Sequence, residues 1–364
     1  MTARRIMIVA GGTGGHVFPG LAVAERLREA GAEVTWLGTR NGLESRLVPD
    51  AGIDIDWISI SGLRGKGMAT LLMAPFKIVK ACLQSAAVIR RRKPDAVLGM
   101  GGFVSGPGGL MARLLGRPLL LHEQNARAGL TNRLLSRIAS RVFSAFPNSF
   151  PSGVKDQVVG NPVRASLSAL PEPAKRLDCD CENRPCRLLV IGGSQGALVL
   201  NQIVPEAISL IEPERRPEII HQAGPGTIAE ARERYGRLEI DCDLRSFIDD
   251  MAEVYGWADL VICRAGALTV SEIAAVGIAA IFVPLPHAVD DHQTANARYL
   301  TEAGAGILMP QTELDAEHLA DAMRVFLGSP EQRLAMAEKA RARGKTDADS
   351  LVAEACLAAA GGAA

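Results

Sequence analysis

Short runs of aliphatic and β-branched residues recur along the chain, each followed by glycines and then by apolar positions at helical spacing. The clearest case begins with residues 260–263, breaks at Gly266, keeps helical spacing to Gly277, and ends in a second apolar run at residues 279–283. This pattern predicts a strand, a tight turn, a helix and another strand. Because the N–H groups of such a helix start face the carboxyl edge of the sheet, the segment also predicts an anion-binding site.

Glu272 has two interpretations within this segment. Thr269 and Glu272 have the T-x-x-E spacing of a capping box, in which the glutamate only helps to begin the helix. Alternatively, its carboxylate lies one turn into a helix that points at a diphosphate, where it accepts hydrogen bonds from a ribose diol. The segment alone does not decide between the two roles.

The same pattern recurs in both halves of the chain. The predicted strands are residues 5–10, 34–37, 94–98, 118–121, 187–191, 260–263 and 279–283. Glycine-rich loops at residues 11–20 and 192–197 each follow the first strand of a half. The repetition predicts an α/β protein of two doubly wound, Rossmann-like domains that face each other across a cleft. We place the domains at residues 1–163 and 164–343 and expect a C-terminal helix at 344–360 to pack back on the first.

Composition narrows the classes of function. The chain has 364 residues, of which 48% are hydrophobic and 22% charged, enough for two cores. Its 40 basic and 40 acidic residues give a formal net charge of +0, which argues against a nucleic-acid partner. Cys179, Cys181 and Cys186 cluster without a second group at metal-ligand spacing, so we interpret them as part of a polar linker and predict no metal site. The apolar runs are cut by Gly and Pro and are too short to span a membrane.

His16 lies in the first glycine-rich loop, GGTGGHVFPG, which we predict to precede a helix at residues 21–30. A histidine at the mouth of such a loop can act as a neutral general base near pH 7. It can equally cap the helix or fill the turn. A second glycine-rich loop at residues 99–109 and the polar residues 122–125 follow two further strands, so this edge of the sheet is predicted to line a ligand cleft.

Nine segments together resemble the MurG family of bacterial glycosyltransferases. In chain order they are GGTGGHVFPGLAVAE, GLRGKG, GMGGFVSGPGG, LHEQN, VVGNPVR, GGSQGA, FIDDMA, CRAGALTVSE and DDHQTANA. The resemblance covers essentially the whole chain. It implies the GT-B fold and an inverting transfer of N-acetylglucosamine from UDP-N-acetylglucosamine (UDP-GlcNAc). The implied acceptor is the C4 hydroxyl of the N-acetylmuramyl sugar of lipid I, and the product is lipid II for peptidoglycan synthesis.

The resemblance also implies which residues bind the substrates. Those of the second domain are Ser194, Ile248, Ala267, Leu268, Thr269, Val270, Ser271, Glu272 and Gln293, and those of the first are Thr13, Gly14, Gly15, Asn125 and Arg164. Ser194 and the helix start are expected to hold the diphosphate. Ile248 is expected to meet the uracil through its backbone, and Glu272 to take the ribose hydroxyls. Gln293 is expected to contact the sugar.

The implied chemistry needs a base for the attacking hydroxyl and a site for the departing UDP. His16 is the first candidate base, and the pair His122 and Glu123 is the second. Helix N-termini and glycine-loop N–H groups can stabilise the negative charge on UDP, so neither a metal nor another cofactor is required. Four D-x-D triplets occur, but none follows a core strand at a glycine loop, and we interpret them as surface carboxylates.

Residues 71–93 also have two interpretations. Their helical spacing aligns Leu72, Phe76, Val79 and Leu83, with Lys77 and Lys80 between them. An ordinary helix would pack this stripe on the sheet, whereas an exposed stripe flanked by lysines would lie in the interface of an anionic leaflet. Both hold if the helix has two apolar sides. Arg113, Arg133 and Arg137 would extend the basic surface.

The family is peripheral on the cytoplasmic side of the inner membrane. The implied partners are therefore the UDP-GlcNAc donor, undecaprenyl-linked lipid I, the anionic cytoplasmic leaflet and, as candidates, cell-wall synthesis proteins. Two alternatives stay open, a UDP-sugar epimerase of the same fold and a nucleotide-sugar-binding subunit without its own base. Acceptor-dependent UDP release, epimerisation of the sugar, or neither would distinguish the three.

Overall fold

The computed structural model describes residues 3–61, 73–177, 184–193, 195–286 and 291–362. The chain divides into two compact units. One, here called the N-terminal unit, consists of Met1–Arg164 and Thr346–Ala364, and the other, the C-terminal unit, of Ala165–Lys345. Among the described residues, no helix is both long enough and apolar enough to cross a membrane.

The N-terminal unit is built on a parallel sheet. Its strands are β1 (Arg5–Ala10), β2 (Glu33–Gly38), β3 (Asp54–Trp57), β4 (Ala96–Gly101), β5 (Leu119–Glu123), β6 (Arg141–Ser144) and β7 (Gln157–Val158). Its helices before residue 164 are α1 (Gly14–Glu29), α2 (Glu44–Asp50), α3 (Ala74–Arg92), α4 (Ser105–Leu114) and α5 (Leu130–Leu135). The strand order is β3-β2-β1-β4-β5-β6-β7, so the order reverses between β1 and β4. Ligands of doubly wound sheets bind outside the carboxyl ends of the strands at such a reversal.

Both faces of this sheet are covered. Along β1, Ile6 and Ile8 belong to one buried cluster, whereas Met7 and Val9 belong to a second. Since successive side chains of a strand point to opposite faces, β1 has core on both sides. That explains its continuous apolar sequence.

The C-terminal unit repeats the plan. Its strands are β8 (Arg187–Ile191), β9 (Glu218–Gln222), β10 (Asp243–Arg245), β11 (Leu260–Cys263), β12 (Ala279–Phe282) and β13 (Ile307–Leu308). Its helices are α6 (Ala165–Ser168), α7 (Pro173–Leu177), α8 (Leu198–Ser209), α9 (Ile228–Arg237), α10 (Met251–Trp257), α11 (Ala267–Val276), α12 (His292–Thr301), α13 (Ala316–Leu327) and α14 (Pro330–Arg343). The parallel order β10-β9-β8-β11-β12-β13 reverses between β8 and β11.

The last helix, α15 (Ala348–Gly361), belongs to the N-terminal unit. Its Val352 and Cys356 are fully buried in the cluster that contains Ile6 and Ile8 of β1. The chain therefore passes between the units twice.

The predicted strands are confirmed, but two glycine-rich loops are shorter than predicted. The first helix begins at Gly14, not at residue 21, because Thr13 takes the extended N-cap conformation and Pro19 is accommodated inside the helix. The segment 99–109 divides between the end of β4 and the start of α4. Within the predicted linker, Cys186 is buried, and Cys179 and Cys181 lie outside the described residues.

Candidate functional site

The reversal point of the N-terminal sheet brings two glycine turns together. Gly102 has φ +80, and a Cβ atom added to it would overlap the carbonyl oxygen of Gly11. The two turns, which follow β1 and β4, therefore touch backbone to backbone. Only glycine permits that approach, because it has no Cβ and tolerates positive φ.

Thr13 and His16 lie at this point. Thr13 occupies the N-cap position of α1, and its carbonyl accepts the N–H of His16 at 3.1 Å. Gly14, Gly15 and His16 form the first turn of the helix, with His16 Nδ1 3.4 Å from Thr13 Oγ1. A Cβ atom added to Gly101 would lie 2.9 Å from His16 Nε2, so the half-buried imidazole lies against the end of β4.

His122 is fully buried in the strand, and both its ring nitrogens have partners. Nε2 lies 2.9 Å from the carbonyl oxygen of Gly160, and Nδ1 lies 3.1 Å from Nε2 of Gln124. Burial lowers its pKa to about 4, so the ring is neutral at pH 7. A neutral ring that donates to Gly160 and accepts from Gln124 has no lone pair for a substrate, so the structure argues against His122 as the base.

Glu123 is also buried, and both carboxylate oxygens accept hydrogen bonds. Oε1 accepts from the backbone and side-chain N–H groups of Asn125 at 2.9 and 3.1 Å. Oε2 accepts from the Gly129 N–H at 3.1 Å and from Asn132 Nδ2 at 2.9 Å. The carboxylate holds the turn that follows β5, and this engagement argues against the predicted role in proton transfer.

Arg164 is the last residue of the first chain segment of the N-terminal unit. Its guanidinium carbon lies 4.7 Å from the ring centroid of Phe18 in α1, a cation–π contact. Thus α1 carries Thr13, Gly14, Gly15 and His16 in its first turn and contacts Arg164 one turn later.

The corresponding reversal point of the C-terminal sheet lies between β8 and β11. Gly193 and Gly196 follow β8 with φ of +84 and +79. A Cβ atom added to Gly224 would lie 2.5 Å from Gly196 Cα, so the turn after β8 packs against the turn after β9. Gly224 lies in the strand-to-helix turn between β9 and α9. Ser194, predicted for this loop, lies outside the described residues.

The anion-binding helix predicted after β11 is present as α11. It begins at Ala267, with Gly266 as an N-cap residue that makes no side-chain capping bond. The predicted capping box is therefore wrong, since Thr269 is the third helical residue. Val270 is the first residue of the helix to return its N–H to Gly266. The N–H groups of the preceding residues, Ala267 to Thr269, point out of the helix start, as expected for an anion site.

Glu272 is 4% exposed, and its Oε2 accepts the hydroxyl of Tyr255 in α10 at 3.3 Å. Burial and, second, the Glu272 charge raise the pKa of Cys263 at the end of β11, so this thiol stays protonated. Ile248, in the turn before α10, is 4% exposed. Glu272 contacts α10 through Tyr255, and Ile248 lies in the turn that leads directly into α10.

Gln293 lies in the first turn of α12, where its Oε1 accepts the Leu285 N–H at 2.8 Å. That bond fixes the amide so that its NH₂ group is turned away from Leu285. Leu268 and Ser271 are half-buried, whereas Ala267 and Val270 are buried. Within the described part of the chain, no group of three or more His, Cys, Asp or Glu residues is arranged to hold a metal ion.

Two further residues of these turns, Glu44 and Arg264, were not predicted from the sequence. Glu44 is fully buried and accepts the Gly12 N–H. Arg264, directly after β11, donates to the carbonyl oxygens of Val283 and Pro284 at 3.1 Å each. The position of Arg264 between a predicted buried strand and a predicted anion-binding helix could have indicated that it belongs to the site. The bond between Glu44 and Gly12 could not be predicted, because the two residues lie 32 positions apart in the sequence.

Known proteins support this description. The Glycosyltransferase family 28 N-terminal domain matches residues 6–144, and the Glycosyltransferase family 28 C-terminal domain matches residues 187–352. Two curated relatives bear the name UDP-N-acetylglucosamine--N-acetylmuramyl-(pentapeptide) pyrophosphoryl-undecaprenol N-acetylglucosamine transferase. The one from Alkalilimnicola ehrlichii is 54% identical over 97% of this chain and 98% of its own length. The one from Methylococcus capsulatus is 54% identical over 99% of each chain.

A solved structure agrees with them. The crystal structure of Acinetobacter baumannii MurG is 42% identical, covers 98% of this chain and 99% of its own, and superposes with a TM-score of 0.83. Two α/β units with parallel sheets are therefore the fold of this chain and of that enzyme. The chain belongs to glycosyltransferase family 28 and, within it, to the MurG family.

Proposed function

We propose that this protein transfers N-acetylglucosamine from UDP-GlcNAc to the C4 hydroxyl of the N-acetylmuramyl sugar of lipid I, which yields lipid II and UDP. The observation that carries the proposal is the similarity, along nearly the full chain, to transferases of that name. Two glycine turns at sheet reversal points and the N-terminus of α11 provide the groups that such a reaction needs.

The C-terminal unit is proposed to bind the donor. The helix start from Ala267 to Ser271 faces the diphosphate, with the N–H groups of Ala267, Leu268 and Thr269 directed at it, and Ser194 adds to them. The Glu272 carboxylate accepts the ribose hydroxyls, and the Ile248 backbone meets the uracil. Gln293 contacts the sugar. Because its Oε1 is held by the Leu285 N–H, its NH₂ group is the part that donates to a sugar oxygen.

Departure of UDP is assisted by the same helix start. As the glycosidic C–O bond breaks, negative charge develops on the diphosphate. The N-terminus of α11 carries a partial positive charge and oriented N–H groups. Such preorganised donors stabilise developing charge more strongly than water does, since they need not reorient.

The N-terminal unit is proposed to supply the base, with Thr13, Gly14, Gly15, Asn125 and Arg164 at the bound substrates. His16 takes the proton of the attacking hydroxyl. In the tautomer with the proton on Nδ1, that N–H faces Thr13 Oγ1 and the lone pair lies on Nε2. The acceptor oxygen then attacks the anomeric carbon as UDP leaves, and the configuration there inverts.

The acceptor carries a lipid tail, and we propose that α3 meets the membrane that holds it. Ala81, Val88 and Ile89 of this helix are buried in the unit. In contrast, Phe76 and Leu83 are 70% and 66% exposed. The helix therefore has two apolar sides, and in the part of the chain that the structure describes the outer one is largely exposed.

Neighbouring residues enlarge this outer surface. Helix α4 packs against α3, and α5 packs against α4. These two helices expose Leu110, Leu114, Leu130 and Leu134. Lys77, Lys80, Arg113 and Arg137 are exposed beside them, and Arg133 is half-buried. An apolar ridge among basic side chains suits the interface of an anionic leaflet, and each basic residue adds about 1 kcal/mol to binding. We propose peripheral attachment to the cytoplasmic leaflet on this basis.

The test is to incubate the purified protein with UDP-GlcNAc, with and without a soluble lipid I analogue. UDP release only with the acceptor is the expected result. Epimerisation of the sugar without acceptor would support the epimerase alternative, which the transferase relatives do not favour. If the protein binds UDP but catalyses neither reaction, the result would support a nucleotide-sugar-binding subunit.

A further inference from the structure

The carboxylate of Glu44 lies beneath the glycine turn that carries Thr13 and His16. Glu44 is the first residue of α2 and is fully buried. Its Oε2 accepts the Gly12 N–H at 2.9 Å. Its Oε1 accepts the N–H of Thr39 at 2.9 Å and the hydroxyl of Thr39 at 2.7 Å. One side chain thus joins the turn after β1 to the turn after β2.

Three glycines make the space for this carboxylate. A Cβ atom added to Gly11 would lie 2.5 Å from Glu44 Oε1, and one added to Gly38 would lie 2.8 Å from Glu44 Cγ. A Cβ atom on Gly42 would overlap Oε2. At these three positions the absence of a side chain makes room for the Glu44 carboxylate. Their role is therefore in packing, not in contact with a ligand.

Gly12 is held on both sides. Its N–H donates to Glu44, and its carbonyl oxygen accepts the Leu43 N–H at 3.2 Å. Gly12 has φ +98 and directly precedes Thr13, the N-cap residue of α1. The position of Gly12 therefore sets where α1 begins, and His16 is the third residue of that helix.

We propose that Glu44 is a positioning residue for the transfer reaction, which acts through Gly12 and Thr13 to hold the His16 imidazole. The inference rests on the proposed function, because it gives His16 the role of base. A charged acceptor binds the Gly12 N–H more strongly than a neutral one. Glu44→Gln removes that charge, and its NH₂ group faces either the Gly12 or the Thr39 donors.

The expected result is a fall in kcat for Glu44→Gln of about 10- to 100-fold, the scale for displacing a reacting group by up to 1 Å. The KM for UDP-GlcNAc and the affinity for UDP are expected to stay within about twofold, since donor binding is assigned to the C-terminal unit. This split between kcat and KM distinguishes a displaced base from general damage.

Asp349→Asn is the matched control. Asp349 is also a buried carboxylate of this unit, and its Oδ2 accepts Nε of Arg26 at 2.7 Å, near the other end of α1. Its loss should lower the melting temperature but leave kcat unchanged. A loss of kcat that is equal in Asp349→Asn and Glu44→Gln would overturn the proposal.

A double-mutant cycle with His16→Ala gives the decisive comparison. If Glu44 acts through His16, Glu44→Gln causes no further loss of kcat in the His16→Ala background. The same fold loss in both backgrounds would refute the proposal.

Should Glu44→Gln fail to fold, Thr39→Val removes one hydrogen-bond donor from the same carboxylate. A kcat of Thr39→Val equal to that of the parent would then refute the proposal. The parent enzyme in the same assay tests the proposed function separately. If the proposed function is wrong, the parent itself releases no UDP in response to the acceptor.

Discussion

Replacing Glu272 by glutamine tests the ribose role most directly. Glu272 is 4% exposed and receives the Tyr255 hydroxyl on Oε2. In the variant, the amide oxygen can continue to accept from Tyr255, and its NH₂ group then takes the place of the other carboxylate oxygen. The ribose diol would face a neutral donor in place of a charged acceptor.

The magnitude follows from that exchange. Hydrogen bonds to charged groups contribute about 1.5–3 kcal/mol, and about 1.4 kcal/mol corresponds to a tenfold change in Kd. The affinity for UDP should therefore fall about 10- to 100-fold. The melting temperature should not fall, because a buried charge is replaced by a neutral group of similar shape.

The affinity for UDP is measured by isothermal titration calorimetry, and 2′,3′-dideoxy-UDP, which lacks the ribose diol, is the control ligand. The parent should bind the dideoxy nucleotide more weakly than UDP, whereas Glu272→Gln should bind the two nearly alike. Equal affinity of parent and variant for UDP would refute the ribose role. So would an equal loss for both nucleotides, since that outcome places the effect away from the diol.

Three further outcomes are expected. His16→Ala should lower kcat on a soluble acceptor about 10²- to 10⁴-fold with little change in donor KM, and an unchanged kcat would remove His16 as base. Phe76→Glu/Lys80→Glu should abolish flotation with anionic vesicles yet keep activity on the soluble acceptor, whereas the exposed-residue control Val325→Glu should float like the parent. Because burial lowers the folded-state pKa of His122 to about 4 from about 6.5, the unfolded chain binds more protons between these pH values. The contribution of His122 to the free energy of unfolding should be fully present above pH 6.5 and fall by about 3 kcal/mol towards pH 4. Urea denaturation of the parent and of His122→Asn measures it as the difference between their pH dependences, because the buried His221 keeps its own dependence in both.

The seven strands that were predicted could be recognised because each is a short, mostly apolar run. The place of the glycine turns, after the first strand of each half, followed from the repeated strand-turn-helix pattern. The start of α1 could not be predicted in the same way, because two glycines and Pro19 disfavour a helix locally. The extended Thr13 and the tertiary fixation of Gly12 outweigh those preferences.

The site residues divide along the same line. His122 and Glu123 have the side chains of an acid–base pair, but β5 extends two residues beyond its predicted end, where they pair with Phe143 and Ser144 of β6. Their burial and hydrogen-bond partners, which the local sequence does not encode, argue against that role. The exposure of Phe76 on α3 likewise depends on which side of the helix meets the sheet.

The last helix has a consequence for biosynthesis. Val352 and Cys356 of α15 complete the core around β1, although roughly 180 residues separate this helix from Arg164. At a synthesis rate of roughly 5–20 residues per second, the ribosome needs about 10–40 s to make that interval. During this time the nascent N-terminal unit exposes the apolar surface that α15 later covers. The half of the chain made second is therefore the first that can finish folding.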